Sequence, residues 1–387
     1  MTLGDRLAAT GNRPTGFDYM RIMLAVLILC WHSVITSYGQ AAQDAFGSGP
    51  AHPFAAILLP MFFALSGFLV AGSLERSRTI AMFAGLRVIR LFPALAVESL
   101  VSALLLGPLL TRLPLAEYLS DPVFHRYFLN LLGHPQYLLP GVFETNPFGR
   151  VNAQLWTIPW ELNCYLALSG LAIFGVVARR SLMLPAIVLL TLACLANAAL
   201  RHPGQAAMSA GSLPGPLLVV SFLCGVAFYL YRDKAPWRRD WGVAALVAAL
   251  ALLCIPYGQY LAVLPAAYAT IWLGLENPPK AAVLKGADYS YGVFLYSFAI
   301  QQTIVALAPW ARHWWLNILL SLPVAVSVAA LSWTLVEKPA LRLRTPLQRL
   351  EAWWLSRRPR VRAARGGEGA AELAGRKRYL TDSIGPG

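Results

Sequence analysis

The residues best equipped for chemistry lie in one apolar stretch, Asp18-Tyr-Met-Arg21-Ile-Met-Leu-Ala-Val-Leu-Ile-Leu-Cys-Trp31-His32. At roughly 100° per residue, eleven steps return a helix to within about 20° of its starting direction, so Arg21 and His32 share one face about 16 Å apart along the axis. An imidazole deep in a membrane span is costly to bury and able to move a proton, and ionisable groups in such spans usually face the protein interior or a wet cavity.

A second group lies in Asn152-Ala-Gln-Leu-Trp156-Thr-Ile-Pro159-Trp-Glu161-Leu-Asn-Cys-Tyr165. If a helix starts at the outer membrane surface there, Glu161 sits about 9 Å inside it, at a depth similar to that of His32. A carboxylate beside the imidazole would hold one tautomer and raise the basicity of the other nitrogen, as a general base requires. A structural hydrogen-bonded pair in a Trp-rich interfacial belt fits the same spacing. In Arg87-Val-Ile-Arg90-Leu-Phe-Pro93, two guanidinium groups three residues apart can grip phosphate, or simply anchor a cytoplasmic helix end. Phe62-Phe-Ala-Leu-Ser66-Gly67-Phe68 supplies a small pair where helix backbones can approach closely.

These residues must be positioned by membrane helices. The 387-residue chain is 57% hydrophobic and 13% charged, a balance foreign to soluble domains of this size. Apolar runs of spanning length fall at about 17–37, 54–73, 83–108, 155–177, 182–200, 213–231, 241–256, 259–275, 288–308 and 315–336. An all-α integral membrane protein of about ten helices in one bundle is therefore expected, the division at Pro256-Tyr-Gly-Gln259 being the least marked. With the N-terminus inside, the outer loops hold only Arg112, Arg126, Arg150, Arg201 and Arg312 of the 32 Lys and Arg residues. The positive-inside rule then places both termini in the cytoplasm.

The net charge of +14 is spread over cytoplasmic turns, so nucleic acid is not an expected partner; membrane lipids are. Residues 1–16 form a cytoplasmic N-terminus, 17–339 the membrane domain, 340–365 a basic amphipathic tail suited to an anionic inner leaflet, and 366–387 a tail of disordered composition. Five cysteines, all in predicted helices, suggest packing and not a disulfide framework. Asp18, Arg21 and His32 argue against a cleaved signal peptide, and no inverted repeat of broken helices favours the common transporter plan. Glu98 is an embedded acid equally suited to structure or function. His52, His125, His134, His202 and His313 read as solvated or interfacial, without metal-ligand spacing, and no metal is expected.

Taken in order, the motifs resemble the acyltransferase-3 family of integral-membrane acyltransferases that modify surface glycans. The resemblance spans about residues 15 to 345. It rests on Arg21 and His32; on Phe62-Phe63-Ala-Leu-Ser66-Gly67-Phe68; on Arg87-x-x-Arg90-x-x-Pro93; and on Leu155-Trp156-Thr157-x-Pro159-x-Glu161-x-x-x-Tyr165. Ser290-Tyr291-Gly-Val-Phe-Leu-Tyr296 and Trp333-x-Leu-Val-Glu337-Lys338-Pro339 complete it. It implies transfer of an acyl group, acetyl most often, from cytoplasmic acyl-CoA to a glycan or lipid-linked sugar hydroxyl beyond the inner (plasma) membrane of a bacterium, with polysaccharide-assembly machinery an expected partner. Arg21, Arg87 and Arg90 would hold the coenzyme A phosphates, His32 would act as base or carry the acyl group, and Glu161 would orient it. Trp156, Tyr165, Asn152 and Ser66 are the expected acceptor-binding residues. Many members carry histidine where this chain has Ser297, so that histidine's role does not transfer; Glu337 and Lys338 are expected to close the last helix. Some members also carry a fused esterase-type domain, and this chain resembles the stand-alone form. The rival classes are a proton-coupled transporter, which would bind cargo without consuming a thioester, and a non-catalytic scaffold, which would tolerate loss of His32.

Overall fold

The computed structural model describes residues 1–201, 213–281 and 287–357. All ten apolar stretches fold as helices: α1 (Gly16–Tyr38), α2 (Leu58–Arg76), α3 (Ile80–Val101), α4 (Ile158–Ile173), α5 (Met183–Arg201), α6 (Gly215–Leu230), α7 (Arg239–Leu253), α8 (Gln259–Gly274), α9 (Ser290–Leu307) and α10 (Trp314–Ser332). By length and composition six helical runs can cross a membrane: Gly16–Tyr38, His52–Arg76, Ile80–Leu110, Arg180–Leu200, Ser290–Leu307 and the run beginning at Trp314. The other four, α4, α6, α7 and α8, have 15 or 16 residues. No strand forms among the described residues, and a single bridge pairs Thr2 with Pro236.

Local chemistry sets the helix ends. Gly39, at φ 87°, stops α1 while its N–H still reaches the Ile35 carbonyl, a backbone geometry that favours glycine. Helix α3 widens into a π turn at Ser102–Leu106 just before Gly107-Pro108, and the run after α10 does the same at Trp333–Glu337 before Lys338-Pro339. In each case an N–H bonds the carbonyl five residues back, from Gly107 to Ser102 and from Lys338 to Trp333. A proline ring collides with the carbonyl four residues earlier; one extra residue in the turn moves that carbonyl aside and keeps the chain helical.

Helices α2 and α6 touch backbone to backbone. A Cβ on Gly67 would lie 1.9 Å from the Phe222 carbonyl oxygen, and one on Gly225 would lie 2.0 Å from that of Ala64. Both glycines permit the close approach typical of small residues between membrane helices. Around α1, Ala25, Ile28 and Leu29 pack against Val293 and Phe294 of α9 and Ala325 and Ala329 of α10. This three-helix contact fixes the face of α1 that carries Arg21 and His32.

The connection between α3 and α4 folds into the bundle. Tyr118, Phe124, Tyr127, Leu139, Val142, Phe143 and Val151 cluster with Ala103 and Ala299. The chain then re-enters through a 3₁₀ turn, Ala153–Thr157, so α4 begins inside: Leu155 and Ile158 pack on Leu91, Ala94 and Leu95, midway along the long α3 run, and on Leu295 and Tyr296 of α9. The expectation that α4 starts at a membrane surface is thereby corrected. The pair α7 and α8 are separate helices, divided at Tyr257, a non-glycine residue at φ 58°.

The C-terminal helix Arg344–Arg357 ends the described chain, and the basic tail beyond it, 358–365, lies outside the described residues. Leu350, Trp353 and Trp354 are exposed on it, and the Arg357 guanidinium sits 4.2 Å over the Trp353 ring. The tail at 366–387 lies outside the described residues.

Gly67→Ala should force α2 and α6 apart, at about 1–3 kcal/mol, as overpacking does. Gly170→Ala, where an added Cβ meets nothing within 4 Å, is the matched control. The expected outcome in detergent is a lower melting temperature for the first variant only; equal melting would refute the close α2–α6 contact.

Candidate active site

Five elements bring charges together at one level of the bundle. Arg21 of α1 and Arg90 of α3 converge on one carboxylate oxygen of Asp288, at 2.9 and 2.6 Å, and Arg90 also reaches Glu337 at 2.7 Å. Asp288 precedes α9 by two residues, its other oxygen accepting from the Ser290 hydroxyl at 2.5 Å and from the Ser290 N–H at 3.3 Å. Glu337 is aimed inward at the end of the second π turn and is only 3% exposed. Burial alone would push the Asp288 carboxyl up, but Arg90, Arg21 and the Ser290 hydrogen bonds outweigh it and hold that group well below the usual carboxylate range.

Arg87, one turn before Arg90, is bound differently. Its guanidinium donates to the Ser73 hydroxyl at 3.0 Å and lies 5.8 and 6.0 Å from the rings of Phe83 and Tyr165. Its Nε is buried without a hydrogen-bond partner, and no ion pair within 4 Å engages it among the described residues. Glu161 accepts a short hydrogen bond from the Tyr165 hydroxyl and lies within Coulombic range of Arg90, Arg87 and Arg21. The three arginines expected to act together are therefore together, but Arg21 and Arg90 are already committed to acids.

His32 stands apart from this group. Its ring meets the Phe298 ring edge-on at 5.2 Å, and its buried Nδ1 has no hydrogen-bond partner. Among the described residues no carboxylate is bonded to it, which corrects the expectation that Glu161 lies beside it. The cause is the interior start of α4: Glu161 is counted from Ile158 at mid-bundle, and so reaches the arginine level, about 16 Å along α1 from the imidazole.

Asn152 is also misplaced by sequence spacing. It is fully buried and donates short hydrogen bonds to Glu98 and to the Tyr127 hydroxyl, with Ser102 completing the cluster at 2.8 Å from Glu98. Glu98 thus pairs with neutral groups and not with an arginine, and Asn152 braces the re-entrant chain from a buried position. Trp156 packs on the main apolar core, and Ser66 is half-buried beside Gly67 in α2. Ser297 is buried and its hydroxyl returns to the Phe294 carbonyl at 3.4 Å. His52 is buried rather than solvated, bonded through Nδ1 to the Gly47 carbonyl at 2.9 Å, and His202 lies outside the described residues.

Asp288 and Gln302 were not legible as site residues. An acid two positions before a span in a chain with only 18 acidic residues is a signal that could have found Asp288. Gln302 gave none: it is fully buried and ties the loop before Asn152 to α9, donating to the carbonyls of Phe148 and Arg150, while Asn146 donates back to it at 2.9 Å.

Comparison with known proteins gives a consistent result. The model of the acyltransferase-3 family, described as an acyltransferase domain, matches residues 15–337. The chain is 26% identical over 355 residues to the protein named O-acetyl transferase of Shigella phage Sf6, across 87% of this chain and 98% of that one. It is 46% identical over 70 residues, 18% of each chain, to Nodulation protein 10 of Rhizobium leguminosarum bv. viciae. No solved structure matches.

Asp288→Asn should leave Arg21 and Arg90 facing one another with a lost charge-assisted partner, destabilising the fold by about 1–3 kcal/mol. Because the Asp288 carboxyl is held low, its contribution is present above the ordinary carboxylate range and is lost only as pH falls through its own depressed titration. Thermal melting between pH 8 and 5 should show a constant deficit for the variant; no deficit would remove Asp288 from the supporting network.

Proposed function

The chain belongs to the acyltransferase-3 family, and from that membership we propose that it moves an acyl group, most simply acetyl, from a cytoplasmic coenzyme A thioester to a glycan hydroxyl beyond the membrane. It is a multi-pass membrane O-acyltransferase. The finer reading has ten helices crossing a bacterial inner membrane with both termini in the cytoplasm. The distribution of basic residues supports it, since five of 32 fall on the outer loops under that threading.

The observation that carries the reading is the single face of α1 that joins the arginine group to His32. At the Arg21 level an anionic donor finds Arg87, which no carboxylate engages within 4 Å among the described residues, and its phosphates compete with Asp288 for Arg21 and Arg90. The pantetheine arm then runs along α1 toward the imidazole. His32 takes the proton of the acceptor hydroxyl at Nε2, with hydrogen on the buried Nδ1. The alkoxide oxygen attacks the thioester carbonyl, the carbon–sulfur bond breaks, and the departing thiolate receives the proton from the imidazolium. Phe298, not a carboxylate, sets the ring orientation. Glu161 belongs in this scheme with the arginines, where its charge balances theirs and its bond to Tyr165 fixes the ring beside Arg87.

Transfer of labelled acetyl from acetyl coenzyme A into the glycan of membranes expressing the chain tests this. His32→Ala, still folded, should lower transfer by about 10²–10⁴-fold, the usual weight of a general base. Arg87→Gln should raise KM for acetyl coenzyme A by about tenfold, the loss of one charged contact. Full activity in the His32 variant would sink its role, and no consumption of acyl-CoA by the unmodified chain would overturn the reading.

A further inference from the structure

Three of the five arginines assigned to the outer side gather on one loop. Arg112 donates to the Thr145 hydroxyl at 3.1 Å, and Arg312 approaches the Thr145 carbonyl at 3.4 Å. Arg150 closes the same loop, its guanidinium carbon 5.3 Å from the Tyr137 ring and 5.3 Å from the Phe148 ring. Between Arg112 and Arg150 the chain carries three acids, Glu117, Asp121 and Glu144, and no ion pair within 4 Å joins any of them to the three arginines among the described residues.

Arg150 is exposed, yet held. Its carbonyl accepts from Gln302 at 2.8 Å, and the next residue, Val151, bonds the Tyr137 carbonyl at 2.7 Å, so the backbone on both sides is fixed to buried structure. Its guanidinium donates no hydrogen bond to any described residue. A planar fork packed by two rings has less rotamer freedom left to lose, and its exposed N–H donors are not taken up by any described residue. Phe148 in turn meets Phe298 at 6.1 Å, and Phe298 meets His32 at 5.2 Å. Phe148, one of the two rings beside Arg150, is therefore linked to the imidazole through Phe298.

We infer that this loop is a recognition site for an anionic group on the acceptor, a carboxylate or phosphate carried by an acidic saccharide, and that Arg150 is the residue that reads it. The fork matches either oxyanion bidentately, and Arg112 and Arg312 add positive potential at the same loop. The inference rests on the proposed function for the side of the membrane and for a saccharide acceptor.

The test is equilibrium binding to the full chain in phosphatidylcholine nanodiscs, with oligogalacturonate, oligo(glycerol phosphate) and a maltooligosaccharide of equal length as probes. At least one acidic oligomer should bind more tightly than the neutral one, Arg150→Gln should weaken it about tenfold while leaving the neutral oligomer unchanged, and Arg150→Lys should fall between. Whether oligogalacturonate or oligo(glycerol phosphate) depends on Arg150 identifies the anion as carboxylate or phosphate. No preference for an acidic oligomer, or equal binding by Arg150→Gln, overturns the inference. So does an Arg150-dependent response confined to phosphatidylglycerol added to the nanodisc, which would make the site a lipid headgroup contact. Acetyl coenzyme A consumption measured on the same samples separates the two readings: its absence with Arg150-dependent binding intact fails the enzyme scheme, and its presence without that dependence fails only this inference.

Discussion

A guanidinium inside a helical bundle requires an anion within reach, and Asp288 answers that requirement for Arg21 and Arg90 together. The cost of an unpaired charge in such surroundings is several kcal/mol, so α1, α3 and the start of α9 are not free to drift relative to one another. Glu337 extends the constraint to the run after α10. Four separate chain segments are thus tied at one level, and the positions of Arg87, Glu161 and Tyr165 around them follow. The polar residues that look most suited to binding a donor are also the ones that hold the site in shape. Any anion bound there would have to exchange with these carboxylates, which would couple binding to local order through the same hydrogen-bond donors.

The helices were legible because membrane apolarity is a one-dimensional signal: a run of suitable length needs no knowledge of its neighbours. The Arg21–His32 relation was legible for a similar reason, since both lie on one helix and 3.6 residues per turn fixes their common face. Depth within other helices was not. Glu161 was placed by counting from an assumed surface, whereas the segment from Tyr118 to Thr157 folds inward and delivers α4 at mid-bundle. Nothing in the local sequence of α4 distinguishes a helix that begins at a headgroup from one that begins on Leu91 and Leu95. Asn152 failed for the same reason. Its neighbours in the fold, Glu98 and Tyr127, are far away in sequence, and a buried amide takes its identity from whichever polar atoms meet it.

The two π turns show how sequence strain becomes placement. Each accommodates a proline that follows it, and each has a chemically distinctive residue within it: Ser102, which bonds Glu98, and Glu337, which bonds Arg90. One extra residue in a turn rotates everything after it about the helix axis. The proline is therefore not merely tolerated, because the rearrangement it compels is what aims Glu337 into the bundle.

The re-entrant chain has a consequence for the membrane as an electrical barrier. Asn152, Gln154 and Leu155 are at most 1% exposed, so the chain that enters the bundle there is closely packed and shut off from solvent. Chain packed to that density offers ions no path along it, whatever moves elsewhere in the bundle.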